Sequence, residues 1–253
     1  MTKHLVEESK ELSVPSVVAY HRPTSLDEAF EFLSNPQCWA LAGGTVVVPN
    51  ARKNRATGIA VVDLQALDLG HITTDSHRME LGAMVRLSDL CDNDQVPAVV
   101  REAARRELPS VLRNQATIGG TIAQAEPDSV LVAALLVHDT RISLHQSETV
   151  YLGDYLASER KGLIVSANIA TRGQGEVAVT GRTPADTPIV AAVARSDTNG
   201  VQLALSGVAP TPVIVDPNDP TAGLNPPGDF RGTAEYRIHL AEVLSERALG
   251  GVR

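Results

Sequence analysis

LAGGTVVVP, residues Leu41 to Pro49, sets two adjacent glycines between apolar residues, and ATIGGTIAQ, residues Ala116 to Gln124, repeats the arrangement. Glycine lacks a Cβ, so each pair lets the main chain enter positive-φ conformations and bring its N–H groups into contact with a neighbour. Consecutive N–H groups curled toward one point form a concavity that suits a phosphate or pyrophosphate. Thr45 and Thr121 can each add a hydroxyl donor at the same rim. Neither stretch carries the Lys of a nucleotide-hydrolysing P-loop, and neither is a G-x-G-x-x-G sequence, so those two readings are excluded. A lone Gly-Gly between strands is otherwise a turn or a point of close packing, and for either stretch alone both readings stand.

Working outward, PTSLDEAFEFL precedes the first pair and reads as a helix. Ser25 and Glu28 have capping-box spacing, and Leu26, Ala29, Phe30 and Leu33 recur on one face. CWALAGG is a short strand running into a glycine turn, and IAVVDL, Ile59 to Leu64, is a buried strand ended by an acidic residue. In HRMELGAMVRL, Met79, Leu81, Ala83 and Val85 alternate as in a half-buried strand, with Ser88 as the cap of the next helix. Pro97 opens a helix that stops before Pro109. After the second glycine loop, Ser129 to Val137 reads as a buried helix and TRISLH as a strand. Periodicity lapses between Tyr155 and Gly175, which places a soft boundary there, although LIVSANIA retains strand character. GEVAVTG, PIVAAVARS, VQLALSGV and PVIVD supply further strand or short-helix segments. A final helix is capped by Thr233, with Tyr236, Leu240, Val243, Leu244 and Arg247 as its packing stripe and Gly250 at its end.

The totals bound the function. The 253 residues suffice for one large core or two medium ones. The net charge of −8, without a Lys/Arg tract, excludes a nucleic-acid partner. MTKHLVEESKELSVP is mixed in character, and no apolar run approaches the roughly 20 residues that cross a bilayer. The expected setting is cytoplasmic, with no membrane partner. Two cysteines, Cys38 and Cys91, are too few for a disulfide framework, a structural zinc site or an iron–sulfur cluster, and no metal site is expected. No residue demands the role of catalytic acid or base, since His71, His77, His138 and His145 are scattered along the chain.

Taken jointly and in order, the motifs resemble the FAD-binding medium subunit of molybdenum hydroxylases, the group that includes carbon monoxide dehydrogenase and the flavin domain of xanthine dehydrogenase. The matching residues are Tyr20, Pro23 and Glu28-Ala29, then Ala42-Gly43-Gly44-Thr45, Lys53, LGAMVRLSDL, Arg113-Asn114, Thr117-Ile118-Gly119-Gly120, and AEYR at Ala234 to Arg237. The resemblance implies an α+β fold, a two-lobed FAD-binding domain of the PCMH/vanillyl-alcohol-oxidase type followed by a smaller α+β C-terminal domain. The expected limits are residues 1–160, with lobes of about 1–65 and 66–160, and residues 161–253. It implies FAD as cofactor, with Ala42, Gly43, Gly44, Thr45 and Val46 on one side of its pyrophosphate and Thr117, Ile118, Gly119, Gly120 and Thr121 on the other. It also implies an iron–sulfur small subunit and a molybdopterin large subunit as partners, with a small organic substrate or NAD exchanging electrons with the flavin.

Three positions depart from the family's pattern. Val46 stands where Asp or Ser is common, Thr121 where Asn is usual, and Val130 where the family places an Asp that holds the FAD ribose; Asp128 lies nearby and can compensate by a change of register. Each charge-assisted hydrogen bond so lost is worth about 1.5–3 kcal/mol. Two functions from different classes follow. One is a flavin-dependent oxidoreductase or electron-transfer subunit. The other is a repurposed, flavin-free member of the fold that acts as a binding or scaffolding protein or a non-redox enzyme.

Overall fold

The computed structural model describes residues 17–53, 58–180 and 186–252, so the reading of the N-terminal MTKHLVEESKELSVP lies outside the described residues, as does the side chain of Lys53. The chain opens with strand β1 (Val17–His21), helix α1 (Leu26–Leu33), strand β2 (Cys38–Leu41), helix α2 (Val47–Lys53) and strand β3 (Ile59–Asp63). The three strands form a parallel sheet in the order β1-β3-β2. Helix α1 begins at the expected cap, with Ser25 Oγ accepting from Glu28 N at 3.2 Å, while Glu28 Oε2 accepts from Thr24 N at 2.9 Å, one residue before the cap that a strict capping box would use. Central β3 is buried at every residue, as its unbroken apolar run demands.

A second unit contains β4 (Ile72–Thr74), β5 (Arg78–Gly82), α3 (Leu87–Asp92), α4 (Ala98–Glu107), α5 (Ser110–Arg113), α6 (Ile118–Gln124), α7 (Val130–Val137), β6 (Arg141–Leu144), β7 (Val150–Tyr151), α8 (Leu152–Ala157) and β8 (Ile164–Ala170). Its five strands are antiparallel in the order β4-β5-β8-β6-β7. Strand β8 pairs with both β5 and β6, so the sheet of this unit extends past residue 160 to Ala170.

The remaining strands β9 (Gln174–Val179), β10 (Ala191–Asp197), β11 (Gly200–Ser206) and β12 (Val213–Val215) make an antiparallel sheet in the order β12-β11-β10-β9, packed by helix α9 (Ala234–Gly250). All eight residues of α7 are buried because the helix lies between α4 and the strands β10 and β11. It therefore joins the second unit to the third.

Three local expectations are corrected. Ser88 does not cap α3; the cap is Arg86, two residues earlier, where Asp89 Oδ2 accepts from the Arg86 N–H at 3.3 Å. The second glycine pair is not in a loop but in the first turn of α6. The buried face of α9 is Arg237, Ala241, Leu244, Ser245, Ala248 and Leu249, whereas Tyr236 and Arg247 face outward. Of the expected stripe Leu244 is buried and Leu240 packs against the same cluster, and Arg237 turns inward beside them: its guanidinium donates to Ile189 O at 3.0 Å, Gly207 O at 2.7 Å and Asp229 Oδ2 at 2.8 Å.

Candidate functional site

The first glycine pair leaves the carboxyl end of parallel strand β2, the end at which open parallel sheets meet their ligands. Gly44 has φ +73°, a left-handed conformation that favours glycine. Gly43 is required for a different reason. A Cβ there would lie 1.8 Å from the carbonyl oxygen of Gln115 and 3.1 Å from Cα of Ala116. The first pair therefore rests directly on the backbone that leads into the second. Gly119 is equally constrained, since a Cβ would come within 2.7 Å of Ala83 Cβ and 2.8 Å of Ala83 O. Close main-chain packing thus accounts for one glycine of each pair.

The N–H groups of the two segments are used differently. Among the described residues, those of Gly43, Gly44, Thr45 and Val46 donate to no protein acceptor. In the second segment the N–H groups from Ile118 onward are engaged: Ile118 donates to Val85 O and Gly119 to Ala83 O, both at 2.9 Å; Gly120 donates to Thr117 Oγ1 at 3.2 Å; and Thr121 donates to Thr117 O at 2.9 Å. The hydroxyl of Thr121 donates to the same Thr117 carbonyl at 3.0 Å. Four of the free donors therefore come from the first segment, while in the second the Thr117 N–H alone has no protein acceptor among the described residues and Gly119 to Thr121 contribute a smooth wall. A Cβ at Gly120 would meet Thr117 Oγ1 at 3.1 Å and nothing else within 4 Å.

Both segments line one cavity of about 910 Å³. Ala42, Gly43, Gly44, Thr45 and Val46 form part of its boundary, as do Thr117, Gly119, Gly120 and Thr121. Ile118 and Asp128 are not on that boundary. The Ile118 side chain is fully buried in the core, and Asp128 is held by Arg231 at 2.9 Å. Val130 is fully buried as the first residue of α7.

Lys161 is the basic residue on the cavity boundary among the described residues, and its ammonium is paired with Glu159 at an exposed position. Neutralisation of an anionic ligand inside thus falls mainly to the free main-chain N–H groups. Two acidic residues share the boundary, exposed Glu126 and the more sheltered Glu107 at the end of α4. Its Oε1 accepts from Ser129 Oγ at 2.7 Å and its Oε2 from Leu131 N at 2.9 Å. Burial pushes the Glu107 carboxyl up to about 7 despite those hydrogen bonds, which act in the opposite direction. Glu107 gives no signal in the sequence, because RREL looks like the solvated end of a charged helix. Only the approach of α7 makes it a partly buried group.

The other residues singled out in the sequence serve the scaffold. Arg113 Nη1 donates to Arg105 O at 2.8 Å and Leu108 O at 2.6 Å, which ties α5 to the end of α4. Asp63 ends β3, accepting from Gln65 N at 2.9 Å and from the Tyr20 hydroxyl. His138 is buried, with its Nδ1 at 2.6 Å from Ala170 O, and burial pushes it down to about 4. No His is on the cavity boundary among the described residues.

Comparison with known proteins shows the family and the fold. The family profile described as "FAD binding domain in molybdopterin dehydrogenase" matches residues 14–172. The Escherichia coli protein YgfM is 30% identical over 241 residues, covering 89% of this chain and 92% of that one. The carbon monoxide dehydrogenase medium chain of Hydrogenophaga pseudoflava is 27% identical over 282 residues, covering 93% of this chain and 97% of that one. A crystal structure of carbon monoxide dehydrogenase from the same organism superposes with a TM-score of 0.86 at 22% identity over 94% of this chain and 98% of that one. For quinoline 2-oxidoreductase from Pseudomonas putida the TM-score is 0.80 at 20% identity, over 92% and 96%.

Proposed function

This chain belongs to the family of FAD-binding domains of molybdopterin dehydrogenases, and from that premise we propose that it is the flavin-carrying, electron-transferring subunit of an oxidoreductase. The observation that carries the reading is the convergence of the two glycine segments on one cavity, with four successive N–H groups left open on one of them. The residues present fit FAD. The volume falls within the roughly 300–1,000 Å³ of cofactor sites, the open N–H groups suit a pyrophosphate, and the Gly120 wall lets a ligand approach the main chain. When bound, the flavin supplies the redox chemistry, and the polypeptide supplies position and electrostatics.

On this reading, Gly43 to Val46 hold the diphosphate. Thr45 and Thr121 border it, and the apolar boundary around Trp39 and Leu108 excludes water. Molybdopterin and iron–sulfur chemistry belong to a large and a small partner subunit, and Cys38 and Cys91 are too few to hold a cluster here. The flavin exchanges electrons with those partners or with a small organic substrate on one side, and with NAD or another acceptor on the other. We place the protein in the cytoplasm, where its two unpaired cysteines remain reduced.

A second reading rests on two observations, the internal engagement of the N–H groups at Ile118 to Thr121 and the pairing of Asp128 with Arg231. It describes a flavin-free member of the fold that uses the cavity for another ligand. The visible spectrum of the purified protein, followed by denaturation and identification of released flavin, separates the two. A yellow protein that releases FAD is expected. A colourless one that also fails to bind added FAD overturns the flavin reading.

A further inference from the structure

Among the described residues, Glu107 is the one ionisable side chain that both borders the cavity and is locked in place by neighbours from another element. Ser129 Oγ and Leu131 N each occupy one of its oxygens, so the carboxylate is fixed in orientation. A carboxylate offers about four acceptor directions, and with the Val130 N–H also directed at Glu107 one is left for a ligand. The natural complement of such an acceptor is a hydroxyl donor on a sugar or polyol. The other nearby candidate, Asp128, is committed to Arg231.

We propose that Glu107 is the hydroxyl-recognising residue of the cavity, its carboxylate accepting a hydrogen bond from a ribose or ribityl hydroxyl of the bound dinucleotide. This deepens the flavin reading and rests on it.

The charge state of Glu107 is set by what surrounds it. Burial disfavours the carboxylate, and Asp128 at the approach to α7 does the same, although Arg231 pairs with that group at 2.9 Å. On its own helix, Arg106 and Arg105 are drawn to Glu102 at 2.7 and 3.9 Å. Across the cavity, Glu126 is exposed and Lys161 is tied to Glu159. No free cation beside it among the described residues offsets the burial, so Glu107 changes charge near neutrality. A hydroxyl donor binds the ionised form, and apparent affinity scales with the fraction of protein in that form. With a midpoint of about 7, FAD affinity rises roughly tenfold from pH 6 to pH 8 and then levels off.

The test is titration of flavin-stripped full-length protein with FAD, followed by flavin fluorescence at pH 6, 7 and 8, alongside Glu107→Gln. Wild-type affinity is expected to rise with pH, and the variant is expected to bind more weakly with no slope. Calorimetry at pH 7 in buffers of different ionisation enthalpy gives a second reading on the wild type alone: about half a proton is released per FAD bound. Competition by adenosine and by riboflavin tells which half of the cofactor supplies the hydroxyl, since its source competes with the same pH dependence. Wild-type affinity that is flat or falls with pH overturns the proposal while leaving the flavin reading intact, and so does a variant that keeps the wild-type slope. Absence of FAD binding at every pH overturns both.

Discussion

Replacing Gly43 with Ala tests whether the two glycine segments act as one unit. The new Cβ would sit 1.8 Å from Gln115 O and 2.6 Å from Gln115 C, both main-chain atoms that cannot rotate aside. Ordinary contact begins near 3.4 Å, so the first segment has to withdraw by well over an ångström. Overpacking of this kind costs about 1–3 kcal/mol, and a chain of this size loses about 2–4 °C of Tm for each kcal/mol. The same withdrawal moves the open N–H groups of Gly43 to Val46 away from the opposite wall. Loss of one charge-assisted hydrogen bond to a diphosphate, about 1.5–3 kcal/mol, weakens FAD binding by roughly ten- to a hundredfold. Thermal denaturation by circular dichroism gives the first quantity, and fluorescence titration with FAD the second. Gly120→Ala is the control, since its Cβ meets only Thr117 Oγ1 at 3.1 Å; it should leave the fold intact and affect binding alone. A Gly43→Ala protein with wild-type Tm and wild-type FAD affinity would refute the idea that close packing of these backbones builds the site.

Three further outcomes follow from the interior charges. Arg237→Ala leaves the carbonyls of Ile189 and Gly207 without their donor, while exposed Asp229 keeps Arg231 and Gly232; a buried carbonyl left unsatisfied costs about 1–3 kcal/mol, so the urea midpoint should fall, and an unchanged midpoint counts against the clamp. The folded-state value of Glu107 lies above its ordinary 4.5, so its contribution to stability is fully present below about pH 4.5 and is lost as pH rises through about 7. Chemical denaturation of the apo-protein across this range should show Glu107→Gln gaining on wild type by on the order of 3 kcal/mol as that window is crossed, and a constant difference contradicts the assignment. His138 is shifted the other way, from 6.5 to about 4, so it favours the fold above its unfolded value and that contribution is lost as pH falls toward 4. Its imidazole resonances should titrate near pH 4, and a midpoint near 6.5 would mean that the ring is hydrated.

Much of the architecture is legible from local rules. Ser25 and Glu28 announce α1, Ser129 announces α7, Thr233 announces α9, and IAVVD declares a buried parallel strand, because capping and hydrophobic runs act over a few residues. The order of the motifs around the glycine pairs is enough to indicate the family, and the likeness to known structures agrees with it. On α9 Leu240 and Leu244 are legible as inward, but Arg237 is not, since it is drawn inward by Ile189 and Gly207, which lie 48 and 30 residues away in sequence. The start of α3 departs from expectation for a smaller reason: Asp89 reaches back to Arg86 N, and a side-chain hydrogen bond of that kind competes with the hydroxyl cap expected from Ser88.

The sequence alone determined that two Cβ-free segments exist, with strands and helices around them able to hold their ends. Only the tertiary structure decided how each is used. Gly43 touches Gln115 across 72 residues, Asp128 is claimed by Arg231 across 103, and Glu107 meets Ser129 and Leu131 across 22 and 24. A backbone hydrogen bond inside a helix turn can be read from neighbours in the chain. Whether an N–H is left open, or a carboxyl is carried out of water, depends on which distant segment packs beside it, and that is settled only when the whole core closes.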